Sequence, residues 1–195
     1  MNEFYNNEEQ YTRVATFLAR QAAKFGLTPE AMGRMKPTGS ELYIRSQFNA
    51  GGNVPLLNGN STQEVGVTNL DGNRLDNGRF FVAQAVTIKY GEAAAGKKVW
   101  EVNYNKALPP ELLASHFVAR QNGEVIIKLP IVSIDNAKQS DEFYRKLGYL
   151  AIFEPTQTID VTIETPQGSV ITPAVSGEKS FVEVLIQGFE TYVKR

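Results

Sequence analysis

The side chains that most often carry out catalysis are scarce in this chain of 195 residues. It has one histidine, His116, and no cysteine. A single histidine cannot form a multi-histidine metal site, and a chain without thiols has no cysteine nucleophile and no disulfide. Ser115 precedes His116, but neighbouring side chains on a strand point to opposite faces. The composition therefore favours a protein that is not an enzyme and that works through its shape and surfaces.

One segment, Gly91–Lys98, differs by a single residue from the nucleotide-binding P-loop pattern GxxxxGK[ST]. Its last position is Lys98, where the pattern requires the serine or threonine hydroxyl that holds Mg²⁺. The residues that follow, Val99–Tyr104, alternate like a strand, whereas a P-loop opens a helix whose N-terminus binds phosphate. We therefore interpret the segment as a connection between two strands and assign no cofactor.

A second segment, Asp71–Gly78, is rich in the oxygen-bearing residues that bind calcium. The EF-hand pattern requires an oxygen ligand followed by glycine at positions where this chain has Leu75 and Asp76. Two consecutive turns, in which Asp and Asn bond their local backbone, account for the same residues. The sequence predicts turns at this point and leaves open whether Ca²⁺ binds near Asp71–Asp76.

Carboxylates and aromatic residues on predicted strands allow two further interpretations. A pair of carboxylates could serve glycoside hydrolysis, although solvent-facing positions explain the same four residues, which are Glu101, Glu124, Glu164 and Glu183. Trp100 is the only tryptophan, and with Tyr90 and Tyr104 it could form a platform that stacks on sugars. Packing in the core is the commoner role of such rings. Trp100 is therefore the candidate surface aromatic of an alternative function.

The N-terminal part of the chain predicts a helical arm over residues 1–38. Apolar residues recur at helical spacing over residues 12–25, and Thr28-Pro29 is a typical start for a second short helix that ends near Met35. Residues 11–36 contain one acidic and five basic residues. A solvated helix on its own domain and an arm that meets a neighbour or an anionic surface both fit this pattern. The candidate assembly residues of the arm are Arg13, Phe17, Arg20 and Lys24.

From Ser40 onward, short apolar runs alternate with turn residues, which predicts about eight strands. Asn122-Gly123 between two apolar runs is a strong hairpin signal. The expected helices are short, one at Leu108–Leu113 and one over Ser140–Leu147. The main predicted strands are Phe80–Tyr90, Val99–Tyr104, His116–Arg120, Val125–Leu129, Leu150–Phe153, Thr158–Thr165, Val170–Thr172 and Phe181–Val193. Strands joined mainly by turns favour an antiparallel sandwich or barrel over alternating βα units.

A helical arm followed by eight strands with long loops resembles the single jelly-roll capsid subunits of viruses. The strands that carry this resemblance are Phe80–Tyr90, Thr158–Thr165 and Phe181–Val193, with the long loops Asn49–Ser61 and Thr165–Lys179 between strands. The stretch Asn69–Tyr90 is also similar in style to bacteriophage structural proteins. Cupin enzymes share the jelly-roll outline, but their metal site needs several histidines, and this chain has His116 alone.

The resemblance implies a mainly β protein: an antiparallel β-sandwich of the single jelly-roll type over residues 39–195, with the arm over residues 1–38. It further implies a non-enzymatic virion structural protein, made in the host cytoplasm, that forms homo-oligomers and contacts other capsid proteins. The arm would contact neighbours, the capsid interior or an inner membrane. A formal net charge of −1 argues against strong nucleic-acid binding. The alternative is a carbohydrate-binding or adhesin-type sandwich that uses Trp100.

Overall fold

The computed structural model describes residues 2–21, 24–28, 30, 35, 37–48, 52–57, 59, 61–139 and 142–192, with side chains from residue 8 onward except those of residues 48 and 139. Within these residues the chain forms eight strands and three helices. The strands are β1 (Thr38–Phe48), β2 (Asn53–Pro55), β3 (Arg79–Ala94), β4 (His116–Gln121), β5 (Glu124–Pro130), β6 (Arg145–Phe153), β7 (Ile159–Glu164) and β8 (Glu178–Tyr192). The helices are α1 (Asn2–Gln21), α2 (Pro110–Leu113) and α3 (Ile131–Gln139), and a 3-10 turn spans Val99–Glu101.

The strands form two antiparallel four-stranded sheets. Sheet A has the order β1-β8-β3-β6, and sheet B has the order β2-β7-β4-β5. Each of the first four strands pairs with one of the last four: β1 with β8, β2 with β7, β3 with β6, and β4 with β5. The pairs are therefore nested around the β4–β5 hairpin, as in one long hairpin that is folded over on itself.

The hydrophobic core lies between the two sheets. Sheet A contributes Phe81, Phe153 and Val184, and sheet B contributes Phe117 and Ile163, all fully buried. Alternate residues along a strand point to opposite faces, so each sheet gives one apolar face to this core. The fold is therefore a mainly β sandwich, which confirms the sheet architecture expected from the apolar runs.

The β4–β5 hairpin is where the sequence indicated it. Asn122 and Gly123 connect the strands with φ of 53° and 83°. A two-residue turn of this kind requires positive φ at both positions, which asparagine and glycine tolerate best. The short helix predicted near Leu108–Leu113 is also confirmed, since Pro110–Leu113 is helical.

Three predicted elements are wrong. Val99–Tyr104 is not a strand: β3 continues to Ala94, and a 3-10 turn follows in which the Glu101 carboxylate accepts from the Lys98 backbone N–H at 2.8 Å. The helix predicted over Ser140–Leu147 is wrong for the described part of that range, because residues 142–144 are irregular and β6 begins at Arg145; residues 140 and 141 lie outside the described residues. Val170–Thr172 is an irregular segment.

The helical arm also differs from its predicted bounds. The helix expected over residues 12–25 spans Asn2–Gln21, and Gly26 with a φ of 64° lies in the turn after it. The second helix expected over residues 28–35 falls largely outside the described residues.

Candidate assembly surface

Helix α1 packs on the outer face of sheet A. Val14 and Leu18 are buried against Val82 of β3. Partly buried side chains from the helix and from two further strands complete this small cluster, namely Phe17, Leu150, Ile152 and Phe189. The helical spacing of Val14, Phe17 and Leu18 gives α1 one apolar side that can be buried in this way. The helix is therefore a separate layer, outside the sandwich core.

A groove of about 1030 Å³ runs between α1 and β6, and three of the four candidate arm residues line it. Arg13 and Arg20 are exposed on the helix side, and Phe17 is partly buried beside them. Lys24 lies in the turn after the helix, where it is exposed but does not line the groove. The structure thus brings Arg13, Phe17 and Arg20 to one surface and leaves Lys24 at its margin.

The opposite wall of the groove belongs to β6, an edge strand of sheet A. Tyr149 on this wall is half exposed, and its hydroxyl donates to the carbonyl of Ile126 in β5. This hydrogen bond links the neighbouring edges of the two sheets. The charged side chains of Arg145 and Lys146 lie on the same strand and discourage uncontrolled pairing at an edge.

The other edge of sheet A, strand β1, is covered by the segment 64–69. The side chain of Asn69 accepts from the Tyr43 backbone N–H at 3.0 Å and donates to the Glu41 carbonyl at 2.7 Å. The Arg45 N–H donates to the Val67 carbonyl at 2.8 Å. Because these bonds take up edge groups of β1, the two edges of sheet A differ in how they can meet a partner.

Beyond α1, the outer face of sheet A carries a charged triad in which Glu183 is buried and Arg45 and Lys89 are partly exposed. The Glu183 carboxylate lies 2.6 Å from the Arg45 guanidinium and 2.8 Å from the Lys89 amino group, and its side chain is 4% exposed. Arg45 also donates to the carbonyl of Gly66 at 2.9 Å. The triad joins three adjacent strands of the sheet, and its arginine is bonded to the covering segment.

Aromatic rings surround this triad. The Arg45 guanidinium lies 5.7 Å from the centroids of Tyr43 and Tyr104, and the Lys89 amino group lies 5.0 Å from that of Phe143. These distances suit cation–π attraction. Burial raises the pKa of Tyr104 well above its ordinary value. Its hydroxyl therefore stays protonated and donates to the Val99 carbonyl at 2.7 Å.

A cleft of about 600 Å³ lies beside the triad, and three lysines line it. Each lysine is paired with a carboxylate: Lys89 with Glu183, Lys106 with Glu92 at 3.3 Å, and Lys138 with Asp135 at 3.4 Å. Burial lowers the pKa of Lys138, whose amino group also donates to the Ile88 carbonyl. These ion pairs leave the cleft nearly balanced in charge.

Trp100 lies in the 3-10 turn and is 52% exposed. Its side chain packs against Gly66, whose φ is +88°. A Cβ added to that glycine would lie 2.8 Å from the Trp100 Cβ, so a larger residue would clash there. Tyr90 cannot join Trp100 in a surface platform, because it is buried in the core, the commoner role of such rings, with its hydroxyl 2.8 Å from that of Ser180. Burial raises the pKa of Tyr90 to about 12.

The structure also places the P-loop-like segment, the segment Asp71–Gly78 and His116. Gly91–Lys98 contains the last residues of β3 and leads into the 3-10 turn, so no α-helix follows it directly. In the segment Asp71–Gly78, Asn73 is buried and its amide donates to the Ile159 carbonyl at 3.2 Å. His116 is half-buried at the start of β4, opposite Glu164 of β7. In the part of the chain that the structure describes, no cluster of three or more His, Asp or Glu side chains could hold a metal ion.

The four glutamates considered as catalytic candidates lie in different places. Glu183 is on the outer face of sheet A, whereas Glu164 is on the outer face of sheet B beside Arg120 and Lys128. The other two lie elsewhere, Glu101 in the 3-10 turn and Glu124 at the exposed start of β5. Sequence reasoning missed the role of Glu183, although a glutamate within the apolar run of β8 was a signal for a buried ion pair.

No protein-family model, no curated protein and no solved structure matches this chain. Among the described helices, none is long and apolar enough to cross a membrane.

Proposed function

We propose that this chain is a non-enzymatic virion structural protein, a capsid subunit that self-assembles through a single jelly roll. The nested strand pairing is the observation that carries the proposal. A jelly roll consists of eight strands in two sheets, an architecture that viral capsid domains use. The orders β1-β8-β3-β6 and β2-β7-β4-β5 support this proposal, because a long hairpin wound into a sandwich would have its strands in these orders.

The filled interior supports a function located on the outer surface. Large side chains from both sheets occupy the space between them, among them Phe81, Phe117 and Phe153, and the rings of Phe81 and Phe153 lie 6.4 Å apart. A sandwich filled in this way presents its edges, loops and outer faces to partners. Subunits of a symmetric assembly meet through such surfaces.

The position of α1 supports the role of an arm. The helix is attached to sheet A through a small apolar cluster and keeps Arg13 and Arg20 exposed beside the groove. An arm held in this way can contact a neighbouring subunit without disturbing the sandwich core. Such contacts are the proposed use of the candidate assembly residues.

Light scattering and negative-stain microscopy of the purified full chain test the proposal. We expect a symmetric oligomer or particle, and a strictly monomeric species at high protein concentration would contradict the proposal. A variant without residues 1–36 is the informative comparison. It should unfold cooperatively, because the sandwich core does not include α1, but it should assemble less well than the full chain. Loss of cooperative unfolding would instead make the arm part of the core.

A second candidate function is carbohydrate binding, and the half-exposed ring of Trp100 is the observation that favours it. Aromatic faces of this kind stack on apolar patches of ligands. A glycan array with the full chain would test it, with Trp100→Ala as the variant and Tyr11→Ala, another partly exposed aromatic residue, as the control. Binding that persists unchanged in Trp100→Ala would exclude this ring as the site.

A further inference from the structure

One row of side chains on α1 lies along the groove and is exposed throughout. Its members are spaced four residues apart and are Glu8, Thr12, Thr16 and Arg20. Residues at this spacing follow one another along one face of a helix. The row therefore forms a continuous ridge of α1, on the side away from the buried Val14 and Leu18.

The order of this ridge is complementary to itself. It reads acid, threonine, threonine, base, so a second copy in the opposite direction places Glu8 against Arg20 at both ends and Thr12 against Thr16 in the middle. Twelve residues separate the two charged ends, which corresponds to roughly 18 Å along the helix. A contact in which the same patch serves both partners is the mark of a twofold interface.

We propose that α1 binds antiparallel to α1 of a second copy of this chain, around a twofold axis between Thr12 and Thr16. The inference rests on the proposed self-assembly and names the surface of one of its contacts. The two outer Glu8–Arg20 pairs fix the direction and the register of the helices. The small threonine side chains at the centre allow the two backbones to approach closely.

The side chains beside the ridge are also compatible with a second copy of α1. Phe17 of α1 and Tyr149 of β6 flank the ridge and offer apolar surface to the second helix. Glu9 and Arg13 are four residues apart on the adjacent row, where they can pair within their own helix. A second copy can therefore dock in this groove while the intramolecular cluster of Val14 and Leu18 stays in place.

Charge reversal at the two ends of the ridge tests the pairing. In the full chain, Glu8→Arg and Arg20→Glu each place like charges at both ends of the interface. Each should raise the Kd of the twofold contact by roughly tenfold or more in sedimentation equilibrium. The double variant Glu8→Arg/Arg20→Glu restores opposite charges and should return the Kd to within about threefold of the unchanged chain.

Two controls separate pairing from indirect effects. Lys179→Glu makes the same charge change as Arg20→Glu at an exposed position near the start of β8, and it should leave the Kd unchanged. Melting of each variant checks that α1 stays docked. The double variant places an acidic residue in the last turn of α1, where it opposes the helix dipole, so its recovery cannot come from a more stable helix.

The outcomes also distinguish this inference from the proposed function. Oligomers that survive both single reversals overturn the helix pairing and leave self-assembly standing. Single variants that weaken association without recovery in the double variant also overturn the direct Glu8–Arg20 contact. A full chain that stays monomeric overturns both proposals, whereas weakening followed by recovery supports both.

Discussion

Each sheet carries on its outer face one glutamate that is paired with one arginine and one lysine, and the two triads differ in what covers them. In sheet A, the side chain of Glu183 is 4% exposed between Arg45 and Lys89. In sheet B, the side chain of Glu164 is 25% exposed between Arg120 and Lys128. The same three residue types thus form a buried triad in one sheet and an open triad in the other.

The different exposure of the two glutamates indicates different roles for the outer faces of the two sheets. In the buried triad only the Glu183 carboxylate is enclosed, since Arg45 and Lys89 are each 27% exposed, so this carboxylate depends on the two cations in place of water. In the open triad Lys128 is half exposed, and water can replace either partner of Glu164. The outer face of sheet A is therefore built into the structure of the subunit, whereas the triad of sheet B is a solvated surface.

The largest effect should follow from removal of the central carboxylate of the buried triad. Glu183→Ala leaves Arg45 and Lys89 next to each other without their shared partner, and we expect a loss of about 3 kcal/mol in the free energy of unfolding. Urea unfolding followed by circular dichroism measures this loss.

The matched control is Glu164→Ala in the open triad, which removes the same group from between the same two residue types. Its free energy of unfolding should fall by less than about 1 kcal/mol, since exposed ion pairs contribute little. Equal losses in the two variants would contradict the claim that cover, rather than residue type, separates the triads.

The sequence predicts the strands well where the pattern is local. Ile159, Val161 and Ile163 alternate in β7 and are all buried, and Asn122-Gly123 forms the turn of the β4–β5 hairpin. Both features depend on contiguous residues, whose spacing and turn geometry are visible without a structure.

Local sequence patterns could not predict the two triads or helix α3. Arg45 and Glu183 are 138 positions apart, and only the pairing of β1 with β8 brings them together. Helix α3 has β-branched Ile131 and Ile134, which favour strands locally, but burial of both in the core decides the helix. The groove beside α1 was likewise unpredictable, because it needs the docking of the helix on β3 and β6.

A smaller loss than that of Glu183→Ala should come from the apolar contact that holds α1. Leu18→Ala should reduce the free energy of unfolding by about 2 kcal/mol, because the side chain is buried in a small cluster at the periphery. Ala19→Ser, at an exposed position of the same helix, is the control and should change it by less than about 0.5 kcal/mol.

Leu18→Ala also tests whether the docked helix α1 and the buried triad contribute independently to stability. Leu18 and the buried triad share no partners, so the losses of Leu18→Ala and Glu183→Ala should add within about 0.5 kcal/mol in the double variant. A larger departure from additivity would mean that the docked helix and the buried triad form one cooperative unit.

The smallest effect concerns the response of the open triad to pH. Hydrogen bonds from Arg120 and Lys128, opposed by partial burial, hold the pKa of Glu164 below its ordinary value. A lowered folded-state pKa contributes stability above the unfolded value of about 4.3, and this contribution is lost as the pH falls through the folded-state pKa. Glu164→Gln should therefore be slightly less stable than the unchanged chain at about pH 7, and the difference should shrink as the pH falls below about 4.3. Added salt should shrink the difference at neutral pH, because it screens exposed charges. A difference that grows on acidification would contradict the lowered pKa of Glu164.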